Sequence, residues 1–208
     1  MTKQAYSFNT VKKVHFITGI TISLFISTHL LNQATILLGE DWYQIFMSAA
    51  RIVYRNILVE SILLLGVLLQ VFSGIKLLRK KWKRQLSVYD KLFIYSGLYL
   101  SFFLLAHVAA VLSTRYFFEL DTNLYFGTAV LNTFPHVLFF APYYGMAIIA
   151  FFTHLACIYR IKKLSNKAPN LSKINRQANF IIGFSLLLTV LILSRMIYCI
   201  EIPLEYQY

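Results

Sequence analysis

Acidic residues are scarce in this chain of 208 residues: eight Asp and Glu stand against twenty Lys and Arg, and only 13% of all residues carry a charge. So little charge excludes an ordinary soluble domain. The 58% hydrophobic content and a mean hydropathy of +0.63 point the same way, to an integral membrane protein with no separate soluble domain. Cysteine occurs twice, at Cys157 near the inner end of the fourth apolar run and at Cys199 near the outer end of the fifth. Most of the membrane thickness separates them, which excludes a disulfide, since that bond needs α-carbons within ~7 Å. Two thiolates are also too few for an iron–sulfur cluster with four cysteine ligands, so any such cluster belongs to a partner. Missing too is a pair of proline- or glycine-broken helices at matching midplane positions, and the two halves of the chain run parallel rather than inverted. Both absences argue against a transporter.

What is present is a series of apolar runs long enough to cross a bilayer, at approximately 14–38, 57–78, 92–112, 137–159 and 180–200. Five transmembrane helices are expected. The first lacks the short apolar core and small-residue cleavage site of a secretory signal, so it is expected to be retained. A net charge of +12 invites a nucleic-acid reading, but its placement decides otherwise. Lys3, Lys12 and Lys13 precede the first run; Arg79, Lys80, Lys81, Lys83, Arg84 and Lys91 follow the second; Arg160, Lys162, Lys163, Lys167, Lys173 and Arg176 follow the fourth. All lie on one side. The other side holds Glu40, Asp41, Glu119, Asp121, Glu201 and Glu205, with Arg51, Arg55 and Arg115 as its basic loop residues. The positive-inside rule makes the basic side the cytoplasm, which puts the N-terminus inside and the C-terminus outside. The basic runs then serve as a topology signal, as contacts to anionic lipid or as a dock for an acidic soluble partner, with no nucleic acid involved.

Thr18-Gly19-Ile20-Thr21-Ile22-Ser23-Leu24-Phe25-Ile26-Ser27-Thr28-His29 returns seventy-eight residues later as Ser96-Gly97-Leu98-Tyr99-Leu100-Ser101-Phe102-Phe103-Leu104-Leu105-Ala106-His107. A histidine in lipid is costly and usually faces the bundle interior with a task. His29 lies sixteen residues beyond Lys13 and His107 sixteen beyond Lys91, so both stand ~24 Å above the inner basic boundary. Two imidazoles at equal depth on two outward-running helices are the donor set of a bis-histidine haem, whose occupied axial positions suit electron transfer rather than oxygen chemistry. The expected fold is therefore all-α, with helices 1-2 and 3-4 forming a parallel internal repeat that makes a haem-binding four-helix bundle. His154 lies only ~14 Å from the inner boundary, level with Gln70 on the second helix. Glutamine is not a usual iron ligand. An inner site there is empty, is five-coordinate, or is replaced by a hydrogen bond between His154 and Gln70, and His154 reads as a structural or quinone-lining residue rather than a ligand. His136, after Pro135, reads as an interfacial residue. His15, at the inner end of the first helix, is placed to exchange a proton with a quinone headgroup.

Taken in order, these residues resemble the cytochrome b membrane-anchor subunits of succinate dehydrogenase and fumarate reductase, in the single-chain five-helix form. The resemblance rests on His15-x-x-Thr18-Gly19, Phe25-x-x-x-His29-Leu30, the Trp42-Tyr43-x-x-Phe46 loop, Glu60, the run Gln70-x-x-x-Gly74-Ile75-Lys76-Leu77, and the second-half copy at Gly97, Phe103, His107 and His154. It covers about the first 165 residues, and the fifth helix matches only as an apolar span. In di-haem relatives the outer haem is held at positions matching His29 and His107, and the inner haem at those matching Gln70 and His154. The glutamine departs from that pattern and implies one haem b. Phe16 departs as well, because an arginine often follows the first histidine in relatives, and that bears on the inner quinone site. The resemblance further implies an iron–sulfur subunit and a flavoprotein subunit as partners, a quinone that is menaquinone by expectation, and a bacterial inner membrane. Glu60, at the outer start of helix two, becomes the expected proton acceptor of an outer quinol site, with an interfacial carboxylate as its plainer reading. Another reading from a different class is a haem-free scaffold or assembly protein of the same fold, in which His29 and His107 only hydrogen-bond.

Overall fold

The structure, a computed structural model, describes residues 3–81, 86–165 and 169–207. Lys83, Arg84 and Lys167 of the basic runs lie outside the described residues, as do the side chains of Lys3, Lys80 and Lys81. Seven α-helices follow in order among the described residues: α1 (Lys3–Thr35), α2 (Glu40–Tyr54), α3 (Ile57–Lys81), α4 (Val88–Tyr116), α5 (Leu124–Ala129), α6 (Val137–Leu164) and α7 (Leu171–Met196). Short 3₁₀ turns sit at Ile36–Leu38 and Leu204–Tyr206, and no strand occurs among the described residues. Five helices, α1 with its 3₁₀ extension, α3, α4, α6 and α7, are long and apolar enough to span a membrane. The protein is an all-α integral membrane protein.

Two compact units divide the chain. Unit 1 comprises residues 1–33 and 44–85, and unit 2 comprises 34–43 and 86–208. Unit 1 pairs α1 with α3, where Gly66 lets the Ile22 side chain come within 3.7 Å of the point a β-carbon would occupy. Unit 2 is built on α6, which packs against both α4 and α7. Small side chains make that possible: Ala147, Ala150 and Ala156 are buried along α6, and a β-carbon at Gly145 would meet Thr189 and Leu193 of α7 at 3.2 Å. Large apolar residues point the other way, as with Phe16, Leu24, Phe102, Leu187 and Val190. In lipid this arrangement carries no penalty, because hydrocarbon drives no burial and close backbone packing does the joining. Hydroxyls within the spans return their protons to the preceding turn: Thr21 to Ile17 O, Thr28 to Leu24 O and Ser61 to Ile57 O.

Helix ends explain the boundaries. Ser87 and Asp90 form a capping box at the start of α4, so that helix begins a turn before its apolar run. Asn170 accepts from the Lys173 backbone N–H at 3.0 Å and starts α7 at Leu171, nine residues ahead of the expected 180; the helix ends at Met196 rather than 200. The polar first turns of α7 are helical because their side chains find partners within unit 2. Asn175 accepts from Arg160 Nε at 2.8 Å, Gln177 from the Tyr159 hydroxyl at 2.6 Å and Asn179 from the Tyr89 hydroxyl at 2.9 Å. Apolar runs mark where the membrane lies, and these contacts mark where the helix starts.

Trp42-Tyr43-x-x-Phe46, expected as a loop, lies inside the fifteen-residue helix α2. Gly39, at a φ of +118° that disfavours any side chain, turns the chain out of α1, and Glu40 and Asp41 open the new helix where acidic residues complement its dipole. Trp42, Ile45, Ile52 and Val53 are exposed while Tyr43 and Met47 are buried, so α2 has apolar residues on both a packed and an outer face. A second short helix, α5, is capped by Asn123, whose side-chain oxygen accepts from Tyr125 and Phe126 N–H. Buried Tyr206 donates to Asp121 O at 2.9 Å and accepts from Asn123 Nδ2 at 3.0 Å, which ties the C-terminal tail of unit 2 to this loop. Cys157 and Cys199 form no disulfide; Cys157 is buried with its Sγ 3.6 Å from Tyr89 O, and Cys199 is exposed.

Candidate functional site

Within unit 1, four polar side chains meet between α1 and α3. His15 Nδ1 lies 3.0 Å from Ser73 Oγ, His15 Nε2 lies 3.3 Å from Gln70 Nε2, and the Thr18 hydroxyl reaches Gln70 Oε1. Two glycines make the approach possible. A β-carbon at Gly19 would stand 3.3 Å from the Gln70 amide nitrogen, and one at Gly74 would stand 3.2 Å from His15 Cε1. A polar group in a lipid-facing span must find its partners inside the protein, and this cluster supplies them.

Unit 2 repeats the arrangement with other side chains. Ser96 Oγ lies 3.1 Å from His154 Nδ1, and a β-carbon at Gly97 would stand 3.1 Å from His154 Cε1. Phe93 stacks on the His154 ring with centroids 4.5 Å apart and planes within 16°. Phe93, Ser96 and Gly97 stand seventy-eight residues after His15, Thr18 and Gly19. In each unit a hydroxyl–glycine pair and an aromatic ring three residues before it, all on the first helix, close around one polar side chain on the second. That side chain is Gln70 on α3 and His154 on α6. The glycine lets the cradled group come close: a β-carbon there would press on it, and the cost depends on whether that group can give way.

Further along the first helices the repeat continues. Phe25 stacks on His29, one turn later, with centroids 6.0 Å apart and planes within 17°; Phe103 stacks on His107 at 5.1 Å and 10°. Each ring is thus held by the aromatic one turn before it. His29 Nε2 also lies 3.3 Å from Gln33 Nε2. Beside it is a cavity of about 10 Å³, the room of a single water, lined by Phe25, Thr28, His29, Asn32, Ala50 and Tyr54. His107 meets Tyr144 edge-on at 6.3 Å, next to the Tyr99, Phe103 and Tyr143 cluster of unit 2, in which the Tyr99 hydroxyl donates to Tyr143 O at 2.7 Å.

The residues singled out from sequence divide between the units. His15, His29, Glu60 and Gln70 belong to unit 1, and His107, His136 and His154 to unit 2. Unit 1 brings His15 and Gln70 together. Glu60 sits in the first turn of α3, with its backbone N–H on Asn56 O at 2.8 Å. His136 is exposed at the N-cap of α6. Among the described residues no three His, Cys, Asp or Glu side chains gather as they would to hold a metal ion by protein alone. Haem needs fewer, because the porphyrin supplies four of the iron's ligands and the protein at most two. His29 in unit 1 and His107 in unit 2 are each an imidazole on an apolar helix with an aromatic ring stacked one turn before it. Sequence reading missed the parts played by Thr18, Ser73, Phe93 and Ser96. The offset between His15 and Phe93 carried the signal for one of them. No family model, no curated protein and no solved structure matches this chain.

Proposed function

We propose that this chain is the membrane-anchor cytochrome b subunit of a succinate:quinone oxidoreductase, of the succinate dehydrogenase or fumarate reductase type. It would carry electrons between an iron–sulfur partner subunit, itself served by a flavoprotein subunit, and a membrane quinone. The observation that carries this reading is the pair of Phe-x-x-x-His stacks, Phe25 on His29 and Phe103 on His107, at the same offset in both halves. An aromatic ring one turn before each histidine limits the imidazole's rotation, as groups around metal-ligating histidines do. His29 and His107 would hold one haem b, which when bound supplies one-electron redox chemistry.

The remaining residues would serve the quinone and the partners. His15 and Glu60 would exchange its protons, on the inner and outer sides respectively, and the basic segments after α3 and α6 would receive the iron–sulfur subunit. The setting would be a bacterial inner membrane with the N-terminus in the cytoplasm, and menaquinone the quinone. Gln70 and His154 support a count of one haem. Within unit 1 the Gln70 amide bonds His15 and Thr18, and it offers no imidazole nitrogen as a second inner ligand.

One observation favours a second reading, a haem-free scaffold of the same fold: His29 Nε2, the nitrogen an iron would take, lies 3.3 Å from the Gln33 amide. The test is a dithionite-reduced minus oxidised spectrum of the purified protein, with haem counted per chain, repeated for His29→Ala and His107→Ala. About one low-spin b haem per chain, lost in both variants, is the expected result. Two haems would show that the inner site binds despite Gln70. None, in a preparation with its partners and haem supply intact, would leave the scaffold.

A further inference from the structure

The cluster in unit 1 forms a chain of hydrogen bonds, Thr18–Gln70–His15–Ser73, that can end on backbone carbonyls at both extremities. Thr18 Oγ1 lies 2.9 Å from Val14 O, and Ser73 Oγ lies 2.6 Å from Leu69 O. Every link has a definite polarity once the protons are counted. With Gln70 Nε2 facing His15 Nε2, the amide donates to the ring, so the ring is neutral and its proton sits on Nδ1. Nδ1–H then donates to Ser73 and the Ser73 hydroxyl to Leu69 O, while Thr18 donates to Gln70 Oε1. Each link of the chain in this arrangement pairs one donor with one acceptor.

Turning the Gln70 amide over exchanges its oxygen and nitrogen between nearly identical positions. Oε1 now accepts from His15 Nε2–H, the amide donates to Thr18 Oγ1, and the Thr18 hydroxyl donates to Val14 O. His15 Nδ1–H still donates to Ser73. The ring carries both protons, and no donor faces a donor at any link. We propose that His15 and Gln70 form a proton-binding site in which the Gln70 amide turns over with the charge of the imidazole, so that one set of side chains satisfies both states.

Charge in a membrane span is costly unless a partner meets it, and a hydrogen bond from a cation to a carbonyl is stronger than its neutral counterpart. From α1 and α3 the groups facing His15 are Gln70, Ser73 and the backbone at Gly74, with Thr18 behind the amide, and none of these titrates. The nearest charges along the two helices are cationic. They are Lys12 and Lys13 on α1 and Lys76 and Arg79 on α3, with Lys76 Nζ placed over the Phe72 ring at 4.4 Å. The amide oxygen is thus the acceptor that these helices offer an imidazolium. Unit 2 has no such device, because Phe93 stands where His15 would be.

This site does not require haem. If the electron-transfer reading holds, it names the group that stores the proton for a quinone. If that reading fails, the titration below is unaffected. The experiment is ¹⁵N NMR of the imidazole nitrogens in protein labelled at histidine and glutamine, held in lipid nanodiscs and followed with pH. The His15 signals are identified by their loss in His15→Ala. In the parent protein the neutral ring is expected to carry its proton on Nδ1, and the Gln70 side-chain amide signals should move at the same midpoint as the ring. Gln70→Met should lower the proton affinity of His15 about tenfold relative to the parent, and Gln70→Glu should raise it by about as much. A packing role would not give opposite signs. Circular dichroism of both variants confirms the helical fold. A neutral ring protonated on Nε2 would overturn the proposal without any variant, and so would midpoints that stay put or move in the same direction in both variants.

Discussion

Unit 1 and unit 2 present one cradle with two occupants. In both, a hydroxyl and a glycine on the first helix press against a polar side chain on the second. The cradled group is a flexible amide in unit 1 and a rigid ring in unit 2, and the residue three positions ahead of the hydroxyl follows suit. His15 hydrogen-bonds the amide. Phe93 stacks on the ring. The difference shows that the occupant and its aromatic neighbour are a matched pair, while the hydroxyl–glycine pair is common to both. A change at one member of a pair should therefore be felt through the other.

The largest expected effect concerns the glycines. A methyl group at position 97 would stand 3.1 Å from His154 Cε1, and that ring is backed by Phe93 and cannot slide. Overpacking of this kind costs about 1–3 kcal/mol. At position 19 the same methyl would meet the end of the Gln70 amide at 3.3 Å, a group with rotatable bonds behind it. Alanine also favours a helix over glycine by about 0.5–1 kcal/mol. Gly97→Ala is thus expected to destabilise and Gly19→Ala to be neutral or slightly stabilising, both read from denaturant unfolding in detergent micelles. Equal losses at the two positions would break the comparison.

A smaller effect, about 1 kcal/mol, is expected when the pair of unit 2 is copied into unit 1. Gln70→His alone sets two imidazoles against each other, and His15→Phe alone leaves the Gln70 amide without its ring partner. The double variant H15F/Q70H restores an aromatic ring against an imidazole beside Thr18. Its loss of stability should be less than the sum of the two single losses. Additivity to within about 0.5 kcal/mol would show that the two positions do not act as a pair.

Part of each cradle is legible in the sequence itself. The offset of seventy-eight residues aligned Thr18, Gly19, Phe25 and His29 with Ser96, Gly97, Phe103 and His107, and each unit builds its local contacts on these positions. What escaped was of two kinds. Helix starts set by single capping side chains, Ser87 and Asn170, lie outside the apolar runs and leave little trace in hydropathy. The helix α2 did leave a trace, in the acidic opening at Glu40 and Asp41 and the buried spacing of Tyr43 and Met47, but its length is below that of a span. Contacts between helices were not legible, because Ser73 facing His15 depends on the rotation of α3 about its own axis.

The last and smallest effect separates the two stacks. Phe103 and His107 lie closer and flatter, 5.1 Å and 10°, than Phe25 and His29 at 6.0 Å and 17°. Phe103 also touches Tyr99, Tyr143 and Tyr144, whereas the other ring contact described for Phe25 is with Tyr54. An aromatic pair contributes about 0.5–1.5 kcal/mol beyond its buried area. Leucine keeps most of the apolar volume and removes the ring, so the contrast between Phe103→Leu and Phe25→Leu isolates stacking. Phe103→Leu is expected to cost more, by about 0.5 kcal/mol, in the same unfolding measurement. If each stack also holds its histidine for haem, both variants should broaden the reduced b-type band, with the larger change at Phe103. A larger loss at Phe25 would place the better-held histidine in unit 1 and reverse the order of the two halves.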